Sequence, residues 1–233
     1  MNTRYDLLLC DADDTLFDFG RAEENAFADA CARMGMTATA ALLKTYSDIN
    51  AALWRLLEQG GITQAVLRVR RFEQFLEKIG RSDLDAQAMA TAFTDSLGRQ
   101  SVPVNGAVEA VARWSRIVPV IIVTNGIARV QHGRMDGSEV RHYIRGMVVS
   151  EEVGAAKPDP KMIEIGMEMA DVRDRSLVLM LCDSLSSDIA AAANAGVDAC
   201  WYNPKGKENA KGLPVRYEIR KLDDVDAILR GED

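Results

Sequence analysis

Short apolar runs alternate with amphipathic segments along much of this 233-residue chain. Apolar runs of this length, several of them rich in β-branched residues, are typical of buried strands. The predicted strands are residues 5–10, 117–123, 147–150, 176–182 and 198–202. Segments with apolar residues at helical spacing separate the later strands. This alternation predicts an α/β fold with a doubly wound parallel sheet, which is a Rossmann-like core.

One long segment breaks the alternation, because residues 20–98 show only helical periodicity. Leu42, Tyr46, Ile49 and Leu53 recur at the spacing of one helix face, for example. The segment lies between the first predicted strand and all the others. We therefore predict an all-helical cap domain inserted after the first strand. The predicted division is an α/β core made of residues 1–16 and 99–233, with the cap at residues 17–98.

Polar side chains follow four of the predicted strands, at the point where each strand ends. They are Asp11, Asp13, Asp14 and Thr15, then Thr124 and Asn125, then Lys157, and finally Asp183, Ser184, Ser187 and Asp188. In an open parallel sheet, ligands bind outside the carboxyl ends of the strands, so these side chains are expected in one crevice. Carboxylate oxygens suit Mg²⁺, whereas a hydroxyl, backbone N–H groups and an ammonium suit a phosphoryl group.

Composition and charge narrow the partners. The net charge is −7 and the pI is about 5.0, which disfavours binding to a nucleic-acid polymer or an anionic membrane surface. A small anionic substrate is compatible with this charge if a metal ion receives it. The four cysteines are far apart and form no CxxC pair, and no apolar run approaches the ~18 residues of a membrane span. Together with the absence of a signal-peptide pattern, this predicts a cytoplasmic protein with reduced thiols.

Four short motifs resemble those of the haloacid dehalogenase-like phosphohydrolases and occur in the same order. They are DADDT at 11–15, VIIVTNG at 120–126, GAAKPDP at 154–160 and LMLCDSLSSD at 179–188. The helical block resembles the cap of the subgroup whose cap follows the first motif. The segments RRF (70–72) and VSEEVGAAKPDP (149–160) resemble the pyrimidine 5′-nucleotidase branch. One departure is Cys182, which stands where the family usually has glycine.

The resemblance implies a role for each motif residue. Asp11 is the expected nucleophile, which forms an aspartyl-phosphate, and Asp13 is the expected acid and base. The cofactor is expected to be Mg²⁺, held by the Asp11 carboxylate, the Asp13 main-chain oxygen and Asp183. The expected phosphate-binding residues are Thr124, Asn125 and Lys157, of which Thr124 and Lys157 also act in catalysis. Asp188 and Thr15 are expected to support this site without binding the metal directly.

The resemblance therefore implies a Mg²⁺-dependent phosphomonoester hydrolase, with nucleoside 5′-monophosphates, pyrimidine ones first, as the expected substrates. Arg71 and Arg68 share a face of a cap helix and are expected to contact the substrate. Three alternatives stay open: a phosphosugar phosphatase or phosphomutase on the same fold, a phospho-acceptor signalling protein, and a binding protein without turnover. A dehalogenase is less favoured, since Asp13 occupies the position of the acid and base that phosphatases need. The sequence does not indicate the oligomeric state.

Overall fold

A computed structural model of the chain describes residues 3–232 and contains a six-stranded sheet. Its strands are β1 (Leu7–Cys10), β2 (Val120–Thr124), β3 (Gly146–Val149), β4 (Val178–Cys182), β5 (Asp198–Tyr202) and β6 (Tyr217–Ile219). The first five are the predicted strands, and every residue of β1, β2 and β4 is buried, as their unbroken apolar character requires. The sequence did not predict β6, because three residues with Glu218 exposed at their centre show no readable pattern.

Ten α-helices accompany these strands in the described residues. They are α1 (Phe19–Arg33), α2 (Ala40–Glu58), α3 (Gln64–Lys78), α4 (Ala86–Leu97), α5 (Ala107–Trp114), α6 (Ala128–Asp136), α7 (Ser150–Val153), α8 (Lys161–Ala170), α9 (Ala190–Ala195) and α10 (Val225–Arg230). The first four occupy the block that the sequence marked as helical throughout. The sequence did not predict α6, whose apolar positions are few and which contains Gly133 next to its centre.

The strands run in the order β3-β2-β1-β4-β5-β6, and all neighbouring pairs are parallel. Cys10, the last residue of β1, is level with Ile122 of β2 and Leu181 of β4. The carboxyl ends of these three central strands therefore meet at one edge of the sheet. The strand order changes direction between β1 and β4, which confirms the predicted doubly wound sheet and marks where such folds bind ligands.

The core on one face of the sheet is apolar and tightly packed. Leu7 and Leu9 of β1 alternate onto this face, where α8 packs against β1. Gly166 of α8 lies so close to β1 that a Cβ there would come within 2.8 Å of the Leu9 side chain. Glycine therefore sets how closely α8 packs against the sheet that carries the polar loops.

The described chain divides into two compact units. One contains the sheet and consists of the described residues up to Asp18, Val102–Ala128 and the described residues from Ser138 onward. The other consists of Phe19–Ser101 and Arg129–Gly137 and is helical. Most of α6 thus lies with the helices rather than with the α/β core to which the sequence division assigned it. A Cβ at Gly133 would come within 2.6 Å of the Gly98 carbonyl oxygen, so glycine permits this packing.

The helical unit is built around aromatic rings. The members of this aromatic cluster are Phe27, Tyr46, Phe72, Phe75 and Phe93. Tyr46 lies at its centre, with ring centroids 5.0 Å from Phe27 and 5.2 Å from Phe72. Aromatic pairs at such distances stabilise the fold by more than the burial of their apolar surface alone. In the part of the chain that the structure describes, no helix combines the length and the apolar character needed to cross a bilayer.

Candidate active site

The loop after β1 begins with Asp11, whose main-chain N–H still bonds to the Leu181 carbonyl of β4 at 2.9 Å. Asp11 lies one residue beyond the end of β1 and is buried. A tight turn follows, in which the N–H groups of Leu16 and Phe17 both bond to the Ala12 carbonyl. Asp14 takes a left-handed backbone conformation there, with φ of 56°, which aspartate tolerates better than most residues. The turn leaves Asp13 half-buried beside Asp11.

Lys157 lies between two carboxylates in the interior of the site. Its ammonium donates to Asp11 Oδ1 at 2.6 Å and to the Val123 carbonyl at 2.8 Å, and it forms an ion pair with Asp188. The Lys157 side chain is only 2 % exposed. The sequence placed Lys157, Asp11 and Asp188 after three different strands, and the structure brings the three charges together.

Asn125 fixes the position of Lys157. Its Oδ1 accepts from the Lys157 N–H at 2.8 Å, and its Nδ2 donates to the Lys157 carbonyl at 2.9 Å. Just before it, Thr124 is buried, and its hydroxyl oxygen accepts from the Gly126 N–H at 3.1 Å. The predicted contacts of Thr124, Asn125 and Lys157 with a phosphate stay predictions. The structure adds that the Asn125 side chain holds the lysine of this set.

Three carboxylates converge at the ends of β1 and β4. One oxygen each from Asp11, Asp183 and Asp188 lie within 4.8 Å of one another. A π-helical turn at Leu185–Ile189 brings Asp188 back toward Asp183, and Ser187 Oγ donates to Asp188 Oδ2 at 3.0 Å. Such turns are frequent at functional sites. The sequence analysis expected Asp188 to support the site without binding the metal directly, and that role stays a prediction. In the structure its carboxylate lies as close to the cluster as the other two and pairs with Lys157.

Burial and mutual repulsion make this acidic cluster receptive to a cation. Burial raises the pKa of Asp11 well above its usual range; Lys157 opposes the shift, and Asp188 and Asp13 add to it. The same two kinds of cause raise the pKa of Asp183 to about 6, with burial first and the nearby carboxylates next. Buried acidic oxygens that repel one another are the donor set that fits Mg²⁺. The expected part of Asp13 in that set is its main-chain oxygen.

Lys157 stays protonated in this environment. Burial alone lowers the pKa of the ammonium, but Asp11 and Asp188 together outweigh that effect and raise the pKa above its usual value. The site therefore contains a fixed positive charge of its own. One cation beside three acids leaves an excess of negative charge that a divalent ion can neutralise.

Two further residues of the first and fourth motifs are buried. Thr15 is fully buried, and its supporting role stays a prediction. The Cys182 side chain packs into the apolar core cluster that also contains Met180 and Trp201. Burial raises the pKa of this thiol well above its usual range, so the thiol stays neutral. Cys182 thus fills core space where the family usually has glycine.

The loop after β5 holds a functional candidate that the sequence analysis missed. Lys207 Nζ lies 3.7 Å from Asp183 Oδ2, and Trp201 Nε1 donates to the Asp183 carbonyl at 2.9 Å. The signal was present in the sequence, because NPKGK at 203–207 directly follows a predicted strand.

In the helical unit, Arg71 is buried rather than exposed on a helix face. Its guanidinium lies over the Phe93 ring at 4.6 Å and the Phe72 ring at 5.1 Å, and Nη1 donates to Asn50 Oδ1 at 3.2 Å. Arg68 is half-buried on the same helix. The predicted substrate contacts of Arg68 and Arg71 stay predictions. The observed surroundings give Arg71 a packing role inside the aromatic cluster.

Comparison with known proteins identifies related chains over nearly the full length. The family model described as haloacid dehalogenase-like hydrolase matches residues 5–196. The chain is 31% identical over 228 residues to the pyrimidine 5′-nucleotidase YjjG of Escherichia coli, covering 97% of this chain and 98% of that protein. It is 32% identical over 223 residues to the pyrimidine 5′-nucleotidase PynA of Streptococcus pneumoniae, covering 95% and 93% of the two chains.

A solved structure is similar over the same extent. The HAD-hydrolase YfnB of Bacillus subtilis, in a crystal form bound to magnesium, superposes with a TM-score of 0.91 at 30% identity. The superposition covers 97% of this chain and 99% of that one.

Proposed function

Because the chain belongs to the haloacid dehalogenase-like hydrolases and is a phosphatase of that family, we propose that it is a Mg²⁺-dependent phosphomonoester hydrolase acting through an aspartyl-phosphate. The observation that carries the mechanism is the buried Asp11 carboxylate, held at 2.6 Å by Lys157 within an acidic cluster that fits Mg²⁺. The proposed substrates are nucleoside 5′-monophosphates, with pyrimidine ones first. Two relatives named as pyrimidine 5′-nucleotidases, each similar over nearly its whole length, support this choice.

The first half of the proposed reaction transfers the phosphoryl group to the protein. The Asp11 carboxylate attacks phosphorus, a bond forms between its oxygen and phosphorus, and the bond to the leaving oxygen breaks. Asp13 donates its proton to the leaving alkoxide, so the product departs as a neutral alcohol. In the second half, Asp13 takes a proton from water, which attacks the acyl phosphate. Inorganic phosphate leaves and the Asp11 carboxylate is restored.

The remaining residues stabilise charge on the transferring group. Lys157 and the Thr124 hydroxyl are proposed to bind its oxygens, and Asn125 keeps the lysine in place through the main-chain bonds described above. Asp11, Asp183 and the main-chain oxygen of Asp13 would hold Mg²⁺, with Asp188 beside them. When bound, Mg²⁺ neutralises the carboxylates and draws in the anionic substrate. Thr15 is proposed to support the turn that carries Asp13.

A substrate panel tests the proposal. The purified protein would be assayed for phosphate release from nucleoside monophosphates, phosphosugars and phosphoserine, with Mg²⁺ and with EDTA. We expect the highest kcat/KM for a pyrimidine 5′-monophosphate and no turnover in EDTA. A higher kcat/KM for a phosphosugar would support the phosphosugar phosphatase instead. Phosphorylation that stops at one equivalent per protein would support a phospho-acceptor signalling protein. The four free, buried cysteines support the further proposal that the enzyme works in the reducing cytoplasm.

Asp13→Asn is expected to separate the two halves of the reaction. The amide cannot donate a proton to an alkoxide, so kcat for a nucleoside monophosphate should fall by about 10²- to 10⁴-fold. An aryl phosphate has a leaving group that needs no proton, so it should still phosphorylate Asp11. The phosphorylated protein should then accumulate, since no base activates water, and a burst of one equivalent of phenol measures this. Equal losses in both steps would show that Asp13 is not the acid and base.

Paired variants of Arg71 separate packing from substrate binding. Arg71→Ala should lower the free energy of unfolding by about 2–4 kcal/mol, because it leaves a cavity among the rings and removes the donor to Asn50. Arg71→Met keeps most of the volume and should cost less. The Met variant then tests the proposed substrate contact through kcat/KM for a nucleotide against that for a small aryl phosphate. A loss confined to the nucleotide would support that contact, whereas unchanged values would leave Arg71 with packing alone.

A further inference from the structure

The loop that follows β5 is held rigidly at Lys207. The Asn203 side chain is almost fully buried, and its Oδ1 accepts from the Lys207 N–H at 2.8 Å. Its Nδ2 donates to the Lys207 carbonyl at 2.9 Å and to Glu218 Oε1 of β6 at 2.7 Å. One buried amide therefore ties both main-chain groups of Lys207 to the edge of the sheet. The main chain of Lys207, from which its side chain extends, is therefore fixed in position.

The side chain of Lys207 extends toward Asp183, which is a proposed metal ligand. Lys207 Nζ lies 3.7 Å from Asp183 Oδ2, which is the distance of an ion pair rather than of a hydrogen bond. The Asp183 side chain is 19% exposed and that of Lys207 is 57% exposed, so the pair sits at the outer side of the acidic cluster. Lys157 forms ion pairs with Asp11 and Asp188 in the buried part of the cluster. Lys207 forms an ion pair with Asp183 at its exposed side.

The structure has space into which the Lys207 ammonium can move away from Asp183. Two cavities, of about 370 Å³ and 220 Å³, are both lined by Asp183 and Lys207. The larger one also borders Ser184 and Lys211, and the smaller one borders Asp14 and Lys205. The four-carbon stem of lysine is flexible, so the ammonium can turn into either cavity while the main chain of Lys207 stays in place.

We propose that Lys207 is a positioning residue that competes with Mg²⁺ for Asp183 and thereby weakens the binding of Mg²⁺ to the site. This inference rests on the proposed metal site. With no metal bound, the ammonium offsets the charge of Asp183 and orients its carboxylate. A divalent ion that binds Asp183 must displace the ammonium and is repelled by it at short range. Since the pair is partly exposed and screened by water and salt, the expected effect is modest.

Three variants test the competition with MgCl₂ alone, in calorimetric titrations without substrate. Lys207→Met should lower the Kd for Mg²⁺ by about three- to tenfold, because the competing charge is gone. Lys207→Arg keeps the charge and should stay within about twofold of the wild type. Lys211→Met is the matched control, since it removes the same charge from the same loop and the same cavity, and it should also stay within about twofold. The gain from Lys207→Met should shrink at high ionic strength.

The outcomes distinguish this inference from the proposed function. A wild-type protein that binds no Mg²⁺ would overturn the metal site and the inference together. Wild-type binding with an unchanged or higher Kd in Lys207→Met would overturn the inference alone. An equal gain in Lys211→Met would also overturn it, because net charge rather than the Asp183 pair would then govern affinity. A rise in substrate KM with an unchanged Kd for Mg²⁺ would assign Lys207 to the substrate instead.

Discussion

Replacing Asp11 with asparagine is expected to abolish turnover, lowering kcat by on the order of 10⁴-fold or more. The amide nitrogen and oxygen cannot attack phosphorus as a carboxylate does, and no acyl phosphate can form. The change is nearly isosteric, and the ion pair between Lys157 and Asp188 remains, so the fold should persist. Steady-state phosphate release and the absence of a phosphorylated intermediate measure the loss.

Asp14→Asn provides the matched control for this variant. Asp14 is exposed, lies three residues along the same turn and loses the same charge. Asparagine also tolerates its left-handed conformation. We expect its kcat to stay within about threefold of the wild type, since it takes no part in the bond changes. An Asp11→Asn enzyme that kept the activity of Asp14→Asn would refute the nucleophile assignment.

Replacing Lys157 with methionine is expected to remove both activity and much of the stability. The change leaves Asp11 and Asp188 buried without their cation, and breaking such a buried pair costs about 3–5 kcal/mol. Denaturant unfolding in EDTA measures this loss. Turnover should fall to background, because the oxygens of the transferring phosphoryl group lose their lysine donor.

The loss in Lys157→Met should depend on pH. Burial already raises the pKa of Asp11 in the folded protein, and the variant loses the Lys157 charge that opposes this shift. A carboxyl whose folded pKa exceeds its unfolded value of about 4 stabilises the fold at low pH and loses that contribution as pH rises through the folded pKa. The variant should therefore be closest to the wild type in acid and weakest near neutrality. A loss that is constant with pH would mean that packing, not charge, is responsible.

A double variant separates stability from catalysis. Adding Asp188→Asn to Lys157→Met removes one of the two uncompensated charges. We expect this pair to recover part of the free energy of unfolding while remaining inactive. Recovery of activity along with stability would show that Lys157 serves only the fold.

Much of the site could be predicted because its residues lie next to strands. Asp11, Thr124 and Asp183 directly end or follow β1, β2 and β4, and local apolar runs identify those strands. The sequence analysis placed Asp188 in the same crevice as Asp183, but how closely the two carboxylates approach depends on a π-helical turn that no residue pattern signals. The hydrogen bonds between the Asn125 side chain and the Lys157 main chain join residues 32 positions apart, so only the folded chain reveals them.

Among the elements that were not predicted, β6 and α6 share a cause. At the sheet edge, β6 has three residues, and pairing with β5 rather than its own composition makes it a strand. In α6, Gly133 lowers the intrinsic helix tendency, yet the close approach to Gly98 requires it. In both, contacts distant in sequence outweighed the local signal.

The hydrogen bonds between the Asn125 side chain and the Lys157 main chain also bear on the chemical durability of the active site. Asn125 precedes Gly126, and an asparagine followed by glycine loses its side-chain amide readily, because the unhindered glycine nitrogen can attack the side-chain carbonyl carbon. In the folded chain both ends of that amide are bonded to Lys157, and the Gly126 nitrogen is turned to the Thr124 hydroxyl. Deamidation would replace a donor to the Lys157 carbonyl with a negatively charged oxygen that repels it. Chemical decay of the site is therefore tied to unfolding, and a bound ligand that stabilises the fold also prolongs the working life of the enzyme.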